Sequence, residues 1–101
     1  VTEQLDPQLA HAYRLAPFGP HGPALQGLLD RMRQPGFDPV EWLVVMVEPH
    51  RRYQLHQRLP GAPPQPLAEH VYATLGECEW AVFRLRWRRL TGAFPPEESG
   101  A

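Results

Sequence analysis

The residues from Thr74 to Leu90 read as one helix with apolar side chains on two opposite faces, a pattern that constrains the fold more than any other stretch. Glu77 follows Thr74 at the capping-box spacing, where the Thr hydroxyl accepts from the Glu77 amide and the carboxylate reaches back to the Thr74 amide. The helix is predicted to start there and to stop at Gly92, just past the last apolar residue. At about 100° per residue, Cys78, Ala81, Val82 and Leu85 form one stripe, an ordinary core face. Trp80, Phe83, Trp87 and Leu90 fall nearly opposite, with Glu77, Arg84 and Arg88 on one flank and Glu79 and Arg86 on the other.

Two apolar faces need two covers. Each Trp or Phe has roughly 150–250 Å² to bury, so Trp80, Phe83 and Trp87 together exceed what a monomer leaves in water. At about 25 cal/mol per Å², covering them is worth on the order of 10 kcal/mol, an upper bound because denatured chains are compact. Either the N-terminal helices of the same chain supply the cover, or another subunit does. In the second case Trp80, Phe83, Trp87 and Leu90 are the interface anchors, with Arg84 and Arg88 as their polar rim. Arg84, Arg86, Arg88 and Arg89 also have the composition of phosphate contacts, although arginines on helix flanks more often lie over aromatics or bond carboxylates.

A chain of 101 residues, 43% of them hydrophobic, has material for one core. The expectation is one α+β domain over residues 1–92 with a disordered tail over 93–101, where prolines and glutamates gather. A net charge of −1 excludes a global basic field for nucleic acid or anionic membrane. The single cysteine, Cys78, excludes an intrachain disulfide. The longest apolar run, Trp42 to Val47, is too short to cross a bilayer, and no signal-peptide pattern opens the sequence, so a soluble, cytoplasmic protein is expected.

Asp6-Pro7 suits the N-cap and first turn of a helix over Asp6–Ala16 whose apolar residues are Leu9, Ala12, Tyr13 and Ala16. Pro17 ends it, and Phe18-Gly19-Pro20-His21-Gly22-Pro23 forms a stiff connector. A second helix runs from Pro23 to about Gln34 on a stripe of Leu25, Leu28, Leu29 and Met32. Trp42 to Val47 is apolar without alternation, which predicts a central strand buried on both faces. Glu48-Pro49-His50-Arg51 suits a type I turn. Tyr53, Leu55 and Leu59 then alternate with polar residues along a second strand with one wet face. After a Pro-rich loop over 61–66, Glu69 to Ala73 forms a third, edge strand. The expected architecture is α+β: two N-terminal helices, a small antiparallel sheet of two to three strands, and a long C-terminal helix packed on that sheet.

Reactive residues are few and scattered. His11, His21, His50, His56 and His70 show no HxxxH or HExxH spacing, so no metal site or cofactor is expected. Cys78 lies on a core stripe, where a thiol behaves as a small hydrophobe, and Glu77 and Glu79 point to different sides of the helix, which removes them as an acid/base pair. The polar face of the second strand, Arg52, Gln54, His56 and Arg58, offers an alternative: small sheets backed by a helix lay such faces into the DNA major groove, as in AP2-type and integrase arm-binding domains. The absence of net positive charge argues against it.

From Phe18 to Leu90 the order of pieces resembles the small subunit of N,N-dimethylformamidase: Phe18-Gly19-x-His21, then Leu25-Gln26, Arg33 and Pro35, the strand pair, and Thr74-x-x-Glu77 leading to Ala81-Val82-Phe83 and Arg86. None of these is a catalytic signature. In that family the small subunit accompanies a much larger amidohydrolase subunit that holds the iron site. The resemblance therefore implies a partner protein, either that large hydrolase subunit or a second copy in a homodimer, and no catalysis by this chain alone. This sequence is shorter than the family's and Pro-rich where the family is charged.

Overall fold

The structure, a computed structural model, describes residues 4–34 and 36–95. Its elements follow the order α1 (Pro7–Leu15), α2 (Pro23–Met32), β1 (Glu41–Glu48), β2 (Arg52–Arg58), β3 (Gln65–Tyr72) and α3 (Leu75–Thr91), an α+β arrangement. Internal contacts gather into two compact units. The first holds residues 1–37 and 83–101, the second Asp38–Val82, so that α3 contributes residues to both.

In the first unit, Asp6 caps α1 by accepting the Gln8 amide on its carboxylate at 3.0 Å, and Pro7 occupies the first turn, where no amide partner is needed. Ala10 and Tyr13 are the buried residues of α1. In α2 the stripe of Leu25, Leu28, Leu29 and Met32 is buried as its spacing demands. Gly92, at φ 84°, donates its amide to the Arg88 carbonyl at 2.8 Å and ends α3, as its position predicted. Of the tail expected to be disordered, Ala93 is bound in both directions to the Thr91 hydroxyl and Phe94 lies under two arginines; residues 96–101 fall outside the described residues.

The second unit is a three-stranded antiparallel sheet in the order β1-β2-β3, with the first turns of α3 packed on it. Thr74 caps the helix as expected, its Oγ1 accepting the Glu77 amide at 3.1 Å. The Glu77 carboxylate, however, accepts from the Thr74 hydroxyl at 3.2 Å instead of reaching the backbone amide. Cys78, Ala81 and Val82 are buried, and Leu55 and Cys78 are the most completely enclosed side chains.

Four expectations for the sheet are corrected. β1 is an edge strand and β2 is central, and no residue of β1 is fully buried: Trp42 to Val45 are half-buried, Met46 and Val47 exposed. A continuous apolar run suits a strand covered on both faces, but it fixes neither which strand sits in the middle nor how far each face is covered. β3 begins at Gln65, not Glu69, because a proline is tolerated on an edge strand where its missing amide would face outward. The β1–β2 turn closes with the Arg51 amide on the Glu48 carbonyl at 3.1 Å, but His50 sits at φ 59°, which a type I turn does not allow. Leu59, expected to continue the buried side of β2, lies past its end and is exposed.

Candidate functional site

Of the two covers that the aromatic stripe allows, the structure shows the intramolecular one at Phe83 and Trp87, which are 2% and 3% exposed. Tyr13 of α1 stacks on Phe83 with ring centroids 4.3 Å apart and planes 10° from parallel. Tyr13 also stacks on His21 at 5.8 Å, and Phe83 meets Trp87 at 5.7 Å, so that α1, the connector and α3 share one chain of ring contacts within the first unit. Trp80 and Leu90 are only half-buried. The Arg84 and Arg88 guanidiniums each lie 4.6 Å from the Phe94 ring centroid, which is the packing of arginine over an aromatic and not a bare cationic patch.

The polar face of β2 is brought together by the period of the strand, yet its charges are spent within the sheet. Arg58 grips both oxygens of Glu41 at 2.5 and 2.6 Å across the β1–β2 ladder, and Arg52 lies 3.8 Å from Glu48. Gln54 donates its side-chain amide to the Leu67 carbonyl at 3.2 Å. Reading base edges or holding phosphates would require breaking these contacts, and nothing in the structure or in the comparisons below supports nucleic-acid binding.

The groups capable of covalent or metal chemistry remain apart. Among the described residues no three of His, Cys, Asp or Glu gather where they could hold a metal ion. Burial pushes the Cys78 thiol up to about 11, with the Glu79 carboxylate adding to the shift, so at neutral pH it is a protonated thiol with no exposure to water. His70 is tied through Nδ1 to the Tyr72 hydroxyl at 2.8 Å.

An open pocket of about 430 Å³ escaped the sequence reading. Pro39, Glu41 and Arg58 line it with the β2–β3 connection from Leu59 to Ala62. No residue pattern announces it, because it is assembled from backbone turns around the Glu41–Arg58 pair, whose mutual bond occupies the charges a small ligand would use. A further polar group stands out in the sheet: the indole N–H of Trp42 is buried without an acceptor.

The arrangement is an α+β chain in which, among the described residues, the pairs Glu41–Arg58 and Glu48–Arg52 lie within the sheet and no His, Cys, Asp or Glu cluster is set to hold a metal ion. The family model of the N,N-dimethylformamidase alpha subunit matches residues 1–95, and the chain belongs to that family. Neither the curated proteins nor the solved structures contain a match. Among the described residues no helix is long and apolar enough to cross a membrane.

Proposed function

We propose that this chain is a small, non-catalytic subunit of an amidohydrolase of the N,N-dimethylformamidase type, bound to a larger subunit that carries the reaction. The observation that carries the reading is the family match over 1–95, which takes in nearly the whole chain. The scattered histidines and the enclosed Cys78 agree with it. On α3 the part offered to the larger subunit is Trp80 and Leu90, with Arg84 and Arg88 at the rim, while Phe83 and Trp87 hold that helix in place from beneath. Leu15 and Phe18, 73% and 67% exposed, extend the apolar surface available on the first unit.

The test is co-expression with a large N,N-dimethylformamidase-type hydrolase subunit sought in the native genome, followed by affinity capture and an assay of N,N-dimethylformamide hydrolysis. Stoichiometric capture, with activity only in the complex, is expected. Trp80→Ala and Leu90→Ala should each weaken capture while the variant keeps its helical circular dichroism. Hydrolysis by this chain alone, or a large subunit that is fully active and never retains it, would overturn the reading.

A further inference from the structure

We propose that β1 is a pairing edge for a second copy of this chain, the two β1 strands running antiparallel about a two-fold axis at Val44 to make one six-stranded sheet. The proposal concerns this chain alone and stands apart from the identity of any larger partner.

The two edges of the sheet differ. β3 carries Pro66, and its pairing with β2 is interrupted between Gln54 and His56, two devices that keep an edge from recruiting another strand. β1 has neither proline nor lysine, and its pairing with β2 is regular from Glu41 to Met46 before a bulge at Val47. Among the described residues no strand pairs with its outer side. A regular apolar edge of this kind is a template for another strand.

Charge and side-chain pattern select the occupant. The Glu residues at both ends of β1 are already held by their own chain, Glu41 by Arg58 and Glu48 by Arg52, which leaves an edge without net charge. Such an edge fits a neutral apolar strand and not a charged peptide, and β1 is itself apolar from Trp42 to Val47. The regular apolar stretch, Trp42 to Met46, is centred on Val44, so pairing it with itself places Val44 against Val44, Leu43 against Val45 and Trp42 against Met46. Met46, 51% exposed in the single chain, thereby gains an aromatic neighbour suited to its thioether. The bulge ends the paired stretch before the Glu residues, and each end of the interface presents a Glu–Arg pair instead of a bare carboxylate.

The test uses the full chain, purified alone. Light scattering should give twice the 11.5 kDa chain mass. Val44→Cys should be joined into a covalent dimer by a short bis-maleimide, since paired residues lie about 4.5–5.5 Å apart at Cβ. Met46→Cys should not be joined, because the geometry sets it beside Trp42 and away from its own copy, and Cys78 is enclosed and silent. Met46→Glu, at an exposed position, should raise the dimer dissociation constant at least tenfold with unchanged circular dichroism. A monomer at all concentrations would overturn the proposal. So would a dimer in which Val44→Cys fails to cross-link or Met46→Glu has no effect, since the contact would then lie elsewhere.

Discussion

Replacing Phe83 with Ala removes the centre of the chain of ring contacts and tests whether the second apolar face of α3 is core. Phe83 is 2% exposed and lies between Tyr13 at 4.3 Å and Trp87 at 5.7 Å, so its loss forfeits both the transfer energy and the ring contacts. Buried Phe→Ala changes cost about 3–5 kcal/mol, a large share of the roughly 5–15 kcal/mol that holds a typical domain together. The stacking itself is separable by a double-mutant cycle with Tyr13→Leu and Phe83→Leu, where a coupling of about 0.5–1.5 kcal/mol is expected. Urea unfolding followed by circular dichroism gives each free energy, and light scattering shows whether subunit composition changes. A Phe83→Ala cost under about 1 kcal/mol, or a coupling of zero, would refute the assignment of this face to the interior.

Cys78 makes stability depend on pH in the alkaline range. Its folded-state value, about 11, lies above the ordinary 9.0, so its contribution is complete below about pH 9 and is lost as pH rises toward 11, where the unfolded chain releases a proton that the folded chain keeps. The loss is roughly 2–3 kcal/mol; in urea titrations from pH 8 to 11 the native chain should lose that much more than Cys78→Ala, and parallel curves would contradict the burial argument. His50→Gly should stabilise by about 0.5–1 kcal/mol, because a residue with a Cβ is strained in the left-handed region that glycine enters freely. His50→Val should lower the melting temperature instead, and a melting temperature lowered by the glycine would show that the turn relaxes without strain.

What could be read from the sequence was mostly local chemistry. Asp6-Pro7 marked the start of α1, the capping box at Thr74 the start of α3, and Gly92 its end, because caps act within a turn of the residues that make them. The stripe of α2 was equally plain. Strand order was not legible, since Trp42 to Val47 carries the same residues whether it lies at the centre or the edge of a sheet. Pro66 hid the first half of β3 by reading as loop. For the site, two faces on α3 were evident from spacing, but the cover at Phe83 comes from Tyr13, far away in the chain, and periodicity within one helix does not name a distant partner. Nor do residue types at Glu41 and Arg58 show that the two neutralise each other.

The division of α3 between two units bears on the order in which the protein can be made. Residues 38–82 form one continuous length of chain, so the sheet and its share of the helix can close as soon as that length is available. The unit containing α1 and α2 is interrupted: Tyr13 leaves the ribosome early, but Phe83 and Trp87 arrive only after the whole sheet has been synthesised. At about 5–20 residues per second the nascent α1 waits several seconds before Phe83 can stack on Tyr13. During that interval the uncovered ring of Tyr13 is a surface that a chaperone, or a neighbouring nascent chain, would meet.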